Sequence, residues 1–206
     1  MKRPHLIFLI VTVCIILSVI LLMYPLSKTS TTVNTTPYLN SSSNAIEFGE
    51  KDAAITITEY SSFECPNCKK LHHNMKEVLE SYIQEGKVRY IFKHVDIKHF
   101  PYDQVIYTNL TEEDINSFDK LHEIYKKQDE WKKAKSEEKV LDILHLNHSD
   151  ITQKNKRKEQ LQSILQEVEK LQISEVPTFY VNGTKFVGVY SKEEIRQFIE
   201  KELSLH

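Results

Sequence analysis

Ile55-Thr56-Ile57-Thr58-Glu59-Tyr60-Ser61-Ser62-Phe63-Glu64-Cys65-Pro66-Asn67-Cys68 is the stretch on which the fold turns. An apolar-rich alternating run ends in a C-x-x-C, and an amphipathic stretch, residues 69–84, follows at once. The pattern predicts a strand, a sharp turn and a helix that opens at the cysteines. The first N–H groups of a helix lack intrahelical partners and carry partial positive charge. A thiol there loses its proton readily, and the thiolate is the reactive form. A second cysteine one turn along can resolve a mixed disulfide formed at the first. These residues imply chemistry in which disulfides are made, broken or swapped.

Working outward, the helix shows an apolar face at Leu71, Met75, Val78, Leu79 and Tyr82, and Glu85-Gly86 closes it. Residues 88–95 alternate again and predict a second central strand, so strand, helix and strand form a βαβ unit with a parallel pair. Ile46-Glu47-Phe48 reads as a short edge strand. Residues 103–173 carry no strand pattern. Helical runs are expected around 111–128, 136–145 and 150–171, with cap signals at Thr111-Glu112-Glu113-Asp114 and Ser136-Glu137-Glu138-Lys139. In the last run the apolar positions are Leu161, Ile164, Leu165, Val168 and Leu171, and its charges read as a solvated face. Strands return at Thr178-Phe179-Tyr180-Val181 and at residues 185–188, joined by Asn182-Gly183, a strong hairpin signal. A final amphipathic helix covers residues 192–203.

The chain has 206 residues, net charge −2, three cysteines and four glycines. That composition excludes a disulfide-rich scaffold and a Gly-rich phosphate loop, and gives no sign of nucleic-acid binding. Lys2 and Arg3 precede an uncharged apolar run at residues 6–23, about 18 residues or roughly 27 Å as a helix. The expectation is an N-terminal membrane anchor within residues 1–26, with the body of the protein outside; a cleaved signal peptide is the rival reading. Cys14 lies in this run and is no partner for the C-x-x-C. Residues 27–44, rich in Ser, Thr and Asn, read as a flexible tether with a reach of about 20–25 Å. Asn34 and Asn40 match the glycosylation pattern, which polar linkers produce by chance.

The element order is that of a thioredoxin fold, a central mixed sheet flanked by helices, occupying residues 45–206 with an all-helical domain inserted at about 102–173. Glu59, Phe63, Cys65-Pro66-Asn67-Cys68-Lys69, residues 118–131 and Val176-Pro177-Thr178-Phe179-Tyr180-Val181-Asn182-Gly183 together resemble the DsbA-like thiol–disulfide oxidoreductases, in particular the membrane-anchored type of Gram-positive bacteria. The resemblance implies an enzyme in which Cys65 is the more exposed attacking cysteine and Cys68 the buried resolving one. It implies a cis-proline at Pro177 facing the sulfurs. Beside it the edge at Val176, with Pro66 and Asn67, would meet an extended substrate. It places a buried acid, Glu59, beneath Cys68 as a proton relay. The redox disulfide Cys65–Cys68 would be the reacting group, with no separate cofactor and no metal.

The partners that the resemblance implies are reduced secreted proteins as substrates and a DsbB-like, quinone-linked membrane re-oxidant. The expected form is a single-pass membrane monomer with its catalytic domain extracytoplasmic, introducing disulfides into secreted or surface proteins. The alternatives are a reductase of the same fold and a non-enzymatic binding module. Asn67 departs from the His or Tyr more familiar at that position, which points to a milder oxidant. Plainer readings stand beside these roles: half of a zinc site at the cysteines, an exposed strand residue at Glu59, a trans-proline at 177. Gln128 and Trp131 fall where the family often has a Gln and a Trp, and read as packing and helix-end residues. His94 and His99 read as surface residues.

Overall fold

The computed structural model describes residues 31–32, 45–146 and 149–205. The apolar run at 6–23, Cys14, Asn34 and Asn40 lie outside the described residues. In chain order the elements are β1 (Thr31–Thr32), β2 (Ile46–Phe48), β3 (Ile55–Ser61), α1 (Pro66–Gln84), β4 (Val88–His94), α2 (Asp103–Thr108), α3 (Glu112–Ile115), α4 (Phe118–Lys126), α5 (Gln128–Trp131), α6 (Glu137–Leu144), α7 (Ile151–Lys170), β5 (Thr178–Val181), β6 (Thr184–Val187) and α8 (Lys192–Leu203). The strands form a sheet in the order β1-β6-β5-β3-β4-β2. β3 and β4 are parallel across the α1 crossover; β2 pairs antiparallel with β4, and β5 pairs antiparallel with both β3 and β6. This is the thioredoxin fold expected from the order of elements, with helices α2–α7 inserted between β4 and β5. Thr31–Thr32, inside the stretch read as a tether, add a two-residue antiparallel edge to β6.

Period-2 alternation decides which residues face which layer. Ile55 and Ile57 of β3, Tyr90 and Phe92 of β4, and Phe179 and Val181 of β5 join the larger core with Leu71, Met75, Val78 and Leu79 of α1 and Ile195 and Ile199 of α8. Tyr60, Val95 and Tyr180 point to the opposite face and pack with Ile164 of α7 and Ile173. The β5–β6 turn holds Asn182 at φ 45° and Gly183 at φ 87°, the left-handed pair that a tight two-residue hairpin demands. The Asn182 side chain also accepts from Thr56 N at 2.8 Å, tying the turn to β3. Gly49 has φ +92°, and a Cβ there would come within 2.3 Å of the Val88 carbonyl oxygen, so the chain crosses β4 only with glycine at this position.

The helical insertion departs from the sequence reading in three places. The run expected at 111–128 is broken: Thr111 forms a capping box with Asp114, α3 stops after one turn, and the Ser117 hydroxyl caps α4 by accepting from Lys120 N. Polar residues that can cap a new helix compete with continuation of the old one. A helix at Asp103–Thr108 also forms, in a stretch with no long apolar period. Finally, α7 does not keep all of its charges in water. Arg157 and Glu167 are buried, whereas Leu165 is 38% exposed. Arg157 donates to the Leu110 carbonyl and to Gln160 and Glu112. Glu167 accepts from the buried ammonium of Lys93 on β4 and from the Tyr60 hydroxyl. Partners on other elements, invisible to a helical wheel, let these charges enter the interior.

Lys93–Glu167 therefore pins the insertion to the back of the sheet. Removing one member leaves the other charge buried and unpaired. Lys93→Met should cost about 3–5 kcal/mol in urea unfolding, and Lys93→Met combined with Glu167→Leu should recover most of that loss.

Candidate active site

Cys65 is the N-cap of α1, with extended backbone (φ −72°, ψ 123°), and Pro66 takes the first helical position. Proline fits there because its missing N–H would have been unpaired in any case. Cys65 is 9% exposed and Cys68, one turn inside, is 0% exposed. Both are thiols. The Cys68 Sγ accepts from Ser62 N at 3.4 Å. The Cys65 thiol donates to the carbonyl of Val176 at 3.8 Å, across 111 positions of sequence. The Val176–Pro177 peptide is cis. Val176 is half-buried beside the sulfur, while Pro66 and Asn67 are exposed. The loop before β5 is thus brought against the cysteine pair, which the sequence placed on a different half of the fold.

The two sulfurs are electrically unlike. A hydrogen bond from Cys68 lowers the Cys65 pKa to about 6, helped by the backbone N–H groups of Cys68 and Asn67 and by the Lys132 ammonium, with burial opposing. Burial pushes Cys68 well up, and the neighbouring Cys65 adds to it. The helix-start position and the sealed position one turn along have been given opposite charge preferences.

Glu59 lies on β3, fully buried. Its Oε2 accepts from the Tyr90 hydroxyl at 2.6 Å, and its Oε1 has no hydrogen-bond partner. Burial raises its pKa to about 7, against the lowering pull of the Tyr90 and Ser61 hydroxyls. The Ser61 hydroxyl, two residues along the same strand, also lowers the Cys68 thiol, and it accepts from Tyr125 at 3.1 Å. Ser61 thus acts on both the acid and the buried thiol.

A family model described as thioredoxin matches residues 41–201. The chain belongs to the thioredoxin family. It is 26% identical to disulfide bond formation protein D of Bacillus subtilis over 167 residues, which cover 75% of each chain. Among solved structures, oxidised BdbD of Bacillus subtilis superposes with TM-score 0.62 at 25% identity, covering 80% of this chain and 95% of that one. Proteus mirabilis ScsC superposes with TM-score 0.68 at 20% identity, covering 82% and 77%. The protein is a DsbA-like thiol–disulfide oxidoreductase, with the inserted helical domain of that branch.

In this thioredoxin-family protein the insertion reaches into the active-site loop. Gln128, read from sequence as a helix-end residue, donates through Nε2 to the carbonyls of Phe63 at 2.6 Å and Cys65 at 3.1 Å. Lys132 donates to the Glu64 carbonyl at 2.7 Å. The Tyr125 hydroxyl lies 3.3 Å from the Ser62 carbonyl. Asp103, at the start of α2, accepts from the Ser62 hydroxyl at 2.6 Å and from Glu64 N at 2.9 Å, and burial lifts its pKa to about 7. Trp131 packs as expected: its indole N–H donates to the Ile124 carbonyl. None of the loop contacts has a motif of its own; a Gln and a Lys four apart just after a helix break were the available signal.

His94, read as a surface residue, is fully buried, whereas His99 is exposed. His94 is stacked between Phe63 of the active-site loop at 4.2 Å and Tyr107 of α2 at 5.1 Å, and burial holds its pKa at about 3. A neutral ring suits such a stack: His94 follows Tyr90 and Phe92 on the core-facing side of β4, and Phe63 and Tyr107 close over it. No group of three or more His, Cys, Asp or Glu side chains that could hold a metal ion occurs among the described residues.

Two outcomes are expected. Lys132→Gln should move the ultraviolet thiolate titration of Cys65 upward from about 6, because a fixed cation no longer favours the anion. Glu59 has a folded pKa above its unfolded one, so its contribution to stability is complete at acid pH and is lost as pH rises through about 7. Glu59→Gln should therefore be the more stable protein near pH 8, by up to about 3 kcal/mol, with the advantage gone near pH 4 when both are compared by urea unfolding.

Proposed function

We propose that the protein is an extracytoplasmic thiol oxidase that introduces disulfides into secreted or surface proteins. The split between the two sulfurs supports this most directly: a thiolate favoured at Cys65, beside a Cys68 that favours its proton. A stabilised Cys65 thiolate is a good leaving group and lowers the free energy of the reduced enzyme, which raises its potential as an oxidant. The position of Asn67 does not undo this, because the stabilising groups are the Cys68 thiol, two backbone N–H groups and Lys132.

In the proposed cycle the enzyme starts with a Cys65–Cys68 disulfide. A substrate thiolate attacks the Cys65 sulfur; the S–S bond breaks and Cys68 leaves with the electron pair. Glu59, with its pKa about 7, supplies the proton that Cys68 then holds, through the Ser61 hydroxyl or directly. A second substrate thiolate attacks the substrate sulfur of the mixed disulfide, and Cys65 leaves as a thiolate. The substrate has lost two electrons and two protons, and the enzyme is reduced. During the exchange the substrate backbone pairs beside cis-Pro177, at the Val176 edge that already faces the Cys65 thiol.

Return to the disulfide form needs an electron acceptor. A DsbB-like, quinone-linked membrane protein fits that need, and an anchor at residues 6–23 would keep the two close by raising their effective concentration. Among the described residues no helix is long and apolar enough to cross a membrane. Disulfides persist outside the cytosol, which supports the same compartment.

The deciding measurement is the equilibrium potential of the Cys65–Cys68 pair in the full-length protein, titrated against glutathione. A value at or above about −150 mV is expected; a value near about −270 mV would overturn the oxidase reading in favour of a reductase. In the same preparation Cys68→Ser should accumulate mixed disulfides with disulfide-bonded substrate proteins, its Cys65 thiolate attacking one substrate sulfur while the other leaves as a thiolate, and Cys65→Ser should form none.

A further inference from the structure

Two hollows flank the first turns of α1. One, of about 490 Å³, is lined by Pro66, Lys69, Gln128, Asp129, Lys132 and Lys133. The other, of about 500 Å³, is lined by Lys69, His73, His122, Tyr125 and Lys126. Lys69 lines both, so they lie side by side between α1 and the α4–α5 wall of the insertion and together make a furrow that the Lys69–Asp129 pair crosses. Four ammonium groups line it against one carboxylate, Asp129, in a chain whose net charge is −2. Asp129 is already engaged by Lys69 at 2.7 Å. Lys132 spends its hydrogen bond on a backbone carbonyl, at Glu64. The side chains of Lys126 and Lys133 are exposed and make no hydrogen bond or ion pair among the described residues. Half-buried His122 leaves its Nδ1 without a partner. Three cations therefore face the furrow with no carboxylate of their own.

The furrow starts beside the cysteine pair, at Pro66. Pro66 follows Cys65 directly, and the Lys132 charge is felt by the Cys65 thiol. From Pro66 to His73 a helix rises about 10 Å, the length of about three residues of extended chain. Close like charges repel unless an opposite charge comes between them, and a furrow lined by one sign raises the local concentration of the other.

We propose that this furrow receives the acidic flank of the substrate polypeptide, so that the enzyme prefers cysteines with Asp or Glu within about three residues on one side. The proposal names a substrate class for the thiol exchange described above and rests on that reading. It locates selectivity on the insertion and on the outer face of α1, away from the Val176 edge, which engages backbone and is indifferent to side-chain charge.

The test uses the full-length protein and two sets of short peptides differing only at the three residues beside a central position: acidic, amide or lysine, placed before or after it. In one set the central residue is Ser and binding is read by fluorescence anisotropy of a dye on the peptide. In the other it is Cys and the rate of reduction of the Cys65–Cys68 disulfide is read. For one placement the acidic peptide should bind and react about tenfold better than the amide peptide at low salt, and the ratio should collapse near 1 M salt, where the screening length is about 3 Å. Lys126→Gln with Lys133→Gln should bring the acidic and amide peptides together. Equal binding by all peptides, or an acidic preference untouched by salt and by the double substitution, overturns the proposal. Acidic preference in the Ser peptides with no reduction by any Cys peptide would uphold the furrow and sink thiol exchange instead.

Discussion

Four consecutive carbonyls, those of Ser62, Phe63, Glu64 and Cys65, accept hydrogen bonds from side chains of the helical insertion. The constraint behind this is general. Where a chain leaves a strand and has not yet entered a helix, its backbone groups have no ladder to join, and buried ones must find other partners. Here Tyr125, Gln128 and Lys132 supply donors and Asp103 supplies an acceptor for Glu64 N. The position of the cysteine pair is thereby set by residues 39 to 68 positions away, which the chain must fold to assemble.

The same contacts carry the electrostatics. Lys132 holds the loop and also favours the Cys65 thiolate. Its role would be lost on a scaffold that had only the sheet and α1. Below the loop the environment turns apolar, so Cys68, Glu59 and Asp103 all hold their protons more firmly than in water. The result is a gradient over one helical turn, from a charge-stabilising mouth to a charge-excluding floor. A buried carboxyl with one oxygen unpartnered costs stability, and Glu59 is such a group at the floor of the site.

The insertion is fastened to the sheet at two separate places. On one face, the stack of Phe63, His94 and Tyr107 joins the active-site loop, β4 and α2. On the other, Lys93, Glu167 and Tyr60 join β4, α7 and β3. Adjacent residues of β4, Lys93 and His94, serve the two attachments because successive strand residues point to opposite faces. The insertion is thus fastened to both faces of the sheet, and motion of α7 relative to the sheet would be opposed by a buried ion pair.

Local pattern determined the strands around residues 55 and 88, the helix start at Pro66, the left-handed turn at Asn182-Gly183, and so the thioredoxin order of elements. Those features depend on backbone hydrogen bonding and apolar period within a few residues, which sequence displays directly. It also put two thiols at a helix start, where partial positive charge is intrinsic. What it did not display depends on approach between distant segments. Nothing near Gln128 or Lys132 announces that they meet the carbonyls of residues 63–65, and nothing near Asp103 announces Ser62 and Glu64. The charged pattern of α7 reads as a wet face, yet Arg157 and Glu167 are inside because their partners come from other elements. His94, at the end of β4, reads as a surface residue, but it continues the core-facing side after Tyr90 and Phe92 and two aromatic rings close over it. The sequence by itself determined which chemistry the chain carries; only the tertiary structure decided how strongly each sulfur holds its proton, because that is set by burial and by charges brought from elsewhere in the chain.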